Sequence, residues 1–272
     1  MTDSLKHKEE LAIKLLKQIP SDDIELCYSG GKDSDVILYL ARLAGIPFTP
    51  IYKNTTIDQP GTIKHCQENG VQIIQPKMTF FQLIEKKGFP SRFARFCCSE
   101  LKEYKIKDYA ILGIRREESK KRAKLYVEPE RCRVYSKTEK CKQYYPILYW
   151  TTEDIEQYVT HNHIQLHPLY YREDGTLDCT RRLGCLGCPL QSDRGLADFK
   201  AHPKLVRAWL KHGKIWWNTH PNLKTRTYFS NIYEVFAFRT FTDSLAKMTL
   251  NKEALFQTDW KRRLEDYFKI DL

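Results

Sequence analysis

Between Ile24 and Ile114, short apolar runs alternate with segments whose apolar residues recur at helical spacing. Ile24 to Tyr28, Phe48 to Tyr52, Val71 to Gln75 and Tyr109 to Ile114 have the length and composition of buried strands. The intervening segments, about Asp33 to Ala44 with a stop at Gly45, Pro60 to Asn69 and Thr79 to Lys87, read as helices. Ahead of them, Met1 to Gln18 predicts an amphipathic helix, with Leu11, Ile13, Leu15 and Leu16 among lysines and glutamates and Pro20-Ser21-Asp22 as its stop. Alternating strands and helices predict an α/β fold, a mostly parallel sheet flanked by helices, with ligands at the carboxyl ends of the strands. The charged, turn-rich stretch from Lys120 to Tyr145 predicts a long loop or flap rather than sheet. Thr151-Thr152-Glu153-Asp154 opens a further helix with a capping signal. Beyond Asp193 the periodicity is helical and the composition turns to lysine, histidine and aromatics. The expected organisation is an N-terminal helix over 1–19, a nucleotide-binding α/β domain over 20–175, and a cysteine-containing loop with a basic helical region over 176–272.

Candidate chemistry begins at Ser29-Gly30-Gly31-Lys32-Asp33-Ser34, which joins the first strand to the first helix of the sheet. Strand, glycine turn and helix start form a phosphate site, because glycines let the backbone approach closely and helix N-terminal amides attract an anion. The spacing fits neither the Walker pattern nor the dinucleotide fingerprint. It resembles the PP-loop of the ATP pyrophosphatases and adenylyl-sulfate reductases.

Further motifs fall in the order shown by the phosphoadenylyl-sulfate reductase family of the PP-loop superfamily. Asn54-Thr55 with Asp58 and Pro60 resembles that family's Asn-Thr-Gly-x-x-x-Pro segment near the nucleotide, although Thr56 replaces the glycine. Gly113-Ile114-Arg115-Arg116-Glu117-Glu118-Ser119 with Arg122 is similar to the family's Gly-x-Arg-x-x-Glu-Ser-x-x-Arg. Guanidinium groups bind phosphate or sulfate oxygens in bidentate fashion, with Glu118 placed to orient them. Pro146-Ile147-Leu148-Tyr149-Trp150 resembles the family's segment that leads into a helix and closes the core. The resemblance covers about residues 20 to 190. It implies an adenine-nucleotide site on Ser29, Gly30, Gly31, Lys32, Asp33, Ser34, Asn54, Gly113, Arg115 and Glu118. It also implies catalytic roles for Lys32, Asp33, Arg115 and Arg122, with magnesium near Asp33.

Thiolate pairs two residues apart chelate one metal centre from a turn. Cys97-Cys98 followed by Cys185-x-x-Cys188 looks like the set that holds a 4Fe-4S cluster in assimilatory adenylyl-sulfate reductases. Cys179 competes with Cys97 for the fourth position, because Cys179, Cys185 and Cys188 with Cys98 resemble the sets of PP-loop proteins that thiolate nucleic acids. Zinc would use the same residues, and iron–sulfur is the preferred reading. The sulfonucleotide reductases attack sulfur with a cysteine in a C-terminal Glu-Cys-Gly-Leu-His segment, and no cysteine follows Cys188 here. The resemblance therefore supports the nucleotide site and the cluster rather than sulfate reduction.

Charge narrows the partners. The 272-residue chain carries 45 Lys and Arg against 34 Asp and Glu, a formal net charge of +11, which favours a polyanionic substrate. Lys200, Lys204, Arg207, Lys211 and Lys214 are interleaved with Phe199, Trp209, Trp216 and Trp217, the pattern of a single-stranded nucleic-acid surface or of an amphipathic helix with its aromatics in the core. No apolar stretch approaches the roughly 20 residues that span a bilayer, so no membrane partner is expected. The first ten residues lack the apolar core of a signal peptide, so a cytoplasmic location is expected, with the nine cysteines reduced. The preferred function is ATP cleavage at the α-phosphate to activate a substrate, nucleic acid by resemblance, for sulfur transfer. A sulfur-donor or thioredoxin-like protein is then a further expected partner. The alternatives are a reductase of adenylyl sulfate or phosphoadenylyl sulfate whose nucleophilic thiol comes from elsewhere, and a non-catalytic nucleotide- and cluster-binding subunit of a nucleic-acid complex.

Overall fold

A computed structural model describes residues 1–242, 244, 245, 248 and 258–272. The chain divides into two compact units, one formed by Met1–Asn54, Gln59–Gln75 and Glu103–Gly184, the other by Thr55–Asp58, Pro76–Lys102 and Cys185–Leu272.

In the first unit, α1 (Asp3–Lys17) starts at Thr2, whose hydroxyl accepts the Leu5 amide at 3.3 Å, and packs against α2 through buried Leu5, Ala12 and Leu16. Strand β1 (Ile24–Tyr28) leads into α2 (Lys32–Ala44), followed by β2 (Thr49–Lys53), α3 (Thr62–Glu68) and β3 (Gln72–Ile74). Helices α4 (Phe80–Lys87) and α5 (Phe96–Leu101) belong to the second unit. The chain returns to the sheet with β4 (Tyr109–Leu112), then α6 (Lys120–Leu125), β5 (Glu130–Val134), β6 (Lys140–Tyr144) and α7 (Thr152–His161).

The strands lie in the order β3-β2-β1-β4-β6-β5, parallel except for β5 at the edge. The chain builds outward from β1 in one direction through β2 and β3, then crosses to β4 on the other side. That reversal places the carboxyl ends of β1 and β4 at the switch point where open α/β sheets bind ligands. The α/β fold expected from the sequence is the one observed.

Lys120 to Tyr145 departs from expectation. It is not a loop or flap: α6 is followed by a hairpin whose second strand, β6, pairs parallel with β4 and extends the sheet. Its residues are charged because β5 is an edge strand with little to bury, Glu130, Arg131, Cys132 and Val134 all being exposed.

The second unit continues after the cysteine loop with α8 (Leu196–Ala201), α9 (Pro203–Thr219), α10 (Ile232–Phe241) and α11 (Trp260–Phe268). Its core gathers Phe80, Leu83 and Ile84 of α4 with Phe199, Trp209, Leu210 and Phe236. Trp209 sits 5.0 Å from Phe80 and 5.4 Å from Phe199 by ring centroid, edge-on to the latter. Of the two readings the tail's pattern allowed, a base-stacking surface or an amphipathic helix with its aromatics in the core, the structure shows the second. Phe199, Trp209, Trp216 and Trp217 are all buried, so the aromatic stripe is the packing face of the helices. Among the described residues no helix is long and apolar enough to cross a membrane.

Candidate functional site: a phosphate loop and a cysteine cavity

Tight conformational demands shape the turn after β1. Gly30 takes φ +76°, which favours glycine, and Gly31, which has no side chain to cap with, stands at the start of α2. The Ser34 amide donates to the Gly31 carbonyl at 2.8 Å and the Lys32 amide meets the Tyr170 hydroxyl, so an anion drawn to this helix start takes the place of that hydroxyl. Ser34 Oγ donates to the Gly31 carbonyl at 2.7 Å and contacts Ser29 Oγ at 3.2 Å, closing the loop. A Cβ on Gly113, the residue after β4, would lie 2.9 Å from the Asp33 carbonyl oxygen. Only glycine lets β4 approach the start of α2 that closely.

A cavity of about 180 Å³ opens over this turn, lined by Ser29, Gly31, Lys32, Asp33 and Ser34 and closed by Gly113, Glu118, Arg122, Tyr170 and Arg182. Lys32 is only 5% exposed, with its ammonium 3.6 Å from Asp33 Oδ2 and donating to the Arg181 carbonyl at 3.4 Å. Burial pulls its pKa down, Asp33 opposes this, and Arg115 adds to the depression. Arg115 is committed to carboxylates, with Nε on Asp33 Oδ1 at 2.8 Å and Nη1 on Glu117 Oε2 at 2.7 Å. It fixes Asp33 rather than facing the cavity. Glu118 holds two guanidiniums, ion-pairing with Arg122 and accepting from Arg182 at 3.1 Å. Burial, then the neighbouring Arg182, pushes the Arg122 guanidinium down. Crowded cations beside a helix N-terminus form a site that an anion relieves.

The structure thus gathers Ser29 to Ser34, Gly113, Arg115, Glu118 and Arg122, all named from the sequence. Asn54 lies elsewhere, its amide donating to Gln75 Oε1 at 2.8 Å. Arg182 and Tyr170 were missed; the Arg181-Arg182 doublet just before Cys185 was the available signal for the first.

Beneath the loop a buried polar chain ties β1, α2 and α3 together. Tyr28 donates its hydroxyl to Asp35, and His65 Nε2 lies 3.0 and 3.1 Å from the two Asp35 oxygens. The His167 ring stands edge-on to His65 at 5.8 Å, only 2% exposed. Burial first, and the neighbouring His65 second, lower the His167 pKa below its ordinary value. The unfolded chain therefore binds a proton that the folded one refuses, and stability is lost as pH falls through about 6.5. Thermal unfolding from pH 7.5 to 5.5 should show this decline, and His167→Asn should flatten it; an unchanged slope in the variant would remove His167 from the account.

The second unit carries the cysteines. Asp58 and Cys185 form an antiparallel bridge, and the Leu186 amide donates to the Ile57 carbonyl at 2.8 Å, which pins the start of the Cys185–Cys188 loop. Cys97 and Cys98, on the first turn of α5, line the same cavity of about 30 Å³ as Cys185 and Cys188, with Ile57, Phe80, Leu101 and Trp209 as apolar walls. A hydrogen bond with Cys98 and burial, then the charges of Cys98, Cys185 and Cys188, hold the Cys97 thiol well above its ordinary range. Burial would lower the Lys102 ammonium, but Cys185 and Asp58 outweigh it and its pKa is raised. Lys102 Nζ lies 3.7 Å from Asp58 Oδ1.

Among the described residues, no three His, Cys, Asp or Glu side chains already converge on one point as a metal-ion site. Four soft thiols around one apolar cavity nonetheless fit a cluster, which holds its ligands farther apart than a single ion does. Cys179 stands apart from this set. It is buried in the first unit, where burial, then Glu156, raises its thiol pKa to about 12.

Fold and loop define a mostly parallel α/β protein of the PP-loop type. The chain belongs to the phosphoadenosine phosphosulfate reductase domain family, whose model matches residues 23–191. An uncharacterised protein of Methanocaldococcus jannaschii is 29% identical over 201 residues, covering 69% of this chain and 46% of the relative. An uncharacterised 37.8 kDa protein of Escherichia phage 186 is 33% identical over 133 residues, 43% of this chain and 37% of the relative. The chain thus spans less than half the length of these curated relatives. Among solved structures, the U34-tRNA thiolase NcsA from Methanococcus maripaludis with its 4Fe-4S cluster is similar at a TM-score of 0.43 and 12% identity, with 80% of each chain covered.

Proposed function

We propose that this protein is an ATP-dependent sulfur-transfer enzyme that cleaves ATP between the α- and β-phosphates and adenylates an oxygen of its substrate. The observation that carries this reading is the cationic cavity over the glycine-led N-terminus of α2, where Lys32, Arg122 and Arg182 meet. In the adenylation step the substrate oxygen attacks the α-phosphorus, the bond to the β-phosphate oxygen breaks, and pyrophosphate leaves. The amides from Gly31 onward cradle the leaving pyrophosphate, and Lys32 offsets its growing charge. Arg122 faces the α-phosphate, and Arg115 keeps Asp33 turned away from it. Asp33, the residue the sequence offers for magnesium, has Oδ1 on Arg115 and Oδ2 facing Lys32. As arranged, both its oxygens face cations rather than an open metal position, and no step here is assigned to a metal. A sulfur nucleophile then displaces AMP from the activated carbon.

Cys97, Cys98, Cys185 and Cys188 are the residues that would hold a 4Fe-4S centre, which supplies a site for holding sulfur when bound. The net charge of +11 supports a nucleic-acid acceptor. The sulfonucleotide-reductase alternative needs a thiol at the phosphate loop. The cysteine that lines the cavity over that loop is Cys27, whose thiol is pushed well above its ordinary value by burial, then by Glu25, and is a poor nucleophile.

Calorimetry with ATP and with adenylyl sulfate, combined with pyrophosphate release on anaerobically purified protein, tests the reading. ATP binding with release of pyrophosphate in the presence of RNA or DNA is expected. Binding of adenylyl sulfate with none of ATP would overturn it.

A further inference from the structure

We propose that Arg239 of α10 is the buried counter-charge of the cysteine cavity, seated behind the Cys185–Cys188 loop to balance the negative charge of a metal–thiolate centre. This rests on the reading that the four cysteines hold such a centre.

Arg239 is 4% exposed, yet among the described residues it has no carboxylate partner. Its guanidinium donates only to carbonyls, those of Pro90 and Arg194 at 3.3 Å each and that of Gly187. Two of the three acceptors, Pro90 and Gly187, themselves line the cysteine cavity. The guanidinium also stacks on the Trp209 and Phe199 rings, 4.3 and 5.2 Å from their centroids. Carbonyls and ring faces orient a cation but carry no net charge to neutralise it, and an isolated buried charge is costly.

Burial lowers the Arg239 pKa, and ionised Cys188 or Cys97, both lining the cavity, would raise it again. Lys102, the cavity's other cation, already has Asp58. With all four thiols protonated, Arg239 faces nothing negative. With the thiols ionised around a metal centre, the cavity is anionic and Arg239 is compensated. The position is therefore built for the loaded state. Arg239 lies on α10, beyond residue 191 where the family match ends.

Wild type, Arg239→Gln and Arg239→Lys, each as the full chain, are reconstituted anaerobically with ferrous iron and sulfide. Iron content, rate of iron loss to a chelator, midpoint potential and melting temperature are then measured. Arg239→Gln should lose iron roughly 10- to 100-fold faster than wild type, with a more negative midpoint potential, since removing a cation disfavours the reduced, more anionic centre. Arg239→Lys, which keeps the charge, should stay within a few-fold of wild type at a similar potential. Equal effects of the two substitutions would reduce Arg239 to a mechanical clamp and overturn the proposal, as would wild-type behaviour of both. Should the glutamine variant not fold, the lysine variant decides: folded protein with an unchanged potential supports the counter-charge, and a potential shifted as far as charge removal would shift it rejects it. A wild-type protein that takes up no iron sinks the metal-centre reading itself, and this proposal with it.

Discussion

Lys32→Ala should lower the rate of pyrophosphate release by about 100- to 1,000-fold, the usual consequence of removing one preorganised charge from a developing anion. The fold should survive, because the Lys32 ammonium makes a 3.6 Å contact with Asp33, one carbonyl hydrogen bond and a 5.5 Å approach to the Tyr170 ring, and Arg115 still holds Asp33 when Lys32 is gone. A melting temperature within a few degrees of wild type, together with the lost turnover, would separate chemistry from stability. Full activity in the variant would remove the phosphate loop from the mechanism. Arg115→Ala should differ in kind. It leaves Asp33 without its 2.8 Å partner and Glu117 with the Thr152 hydroxyl but no cation, so stability falls together with activity.

The second large effect concerns the thiols. Serine at Cys97, Cys98, Cys185 or Cys188 should reduce the iron recovered from anaerobic protein from about four per chain toward none. Cys179→Ser should retain the full complement, because Cys179 sits with Lys32, Asp33 and Arg115 in the first unit rather than in the cavity that the other four line. A Cys179 variant that lost its iron while Cys97→Ser kept it would assign the fourth ligand the other way. Stoichiometric zinc with no iron in the anaerobic wild type would make the centre a structural one.

How far the sequence disclosed these sites depends on the scale of the interaction. The phosphate loop was legible because its chemistry is local: glycine geometry and helix amides act over six consecutive residues, Ser29 to Ser34. That Cys97, Cys98, Cys185 and Cys188 belong together was legible as composition, but that these four line one cavity while Cys179 falls in the other unit was not, since it depends on which unit each segment joins. The β5–β6 hairpin was hidden because its strands are charged and gain their place by pairing with each other and with β4, a tertiary effect that overrides weak strand propensity. The tail's aromatics carried no mark to distinguish a stacking surface from a core. Alternating Lys and Trp is what both require, and only burial of Trp209, Trp216 and Trp217 decides. Arg239 was illegible for a related reason: a lone arginine in Phe236-Ala237-Phe238-Arg239 reads as a solvated charge until its three carbonyl acceptors are known.

The second unit is assembled from three stretches of chain, Thr55–Asp58, Pro76–Lys102 and Cys185–Leu272. Synthesis from the N-terminus therefore delivers Cys97 and Cys98 long before the loop they face, and α10, which seats that loop through Arg239, comes later still. Contacts this distant in sequence carry a high loop-closure cost and close late. A nascent chain consequently exposes two adjacent thiols on an unanchored α5 throughout the interval. The walls of the cysteine cavity close around a metal only once these distant stretches have met.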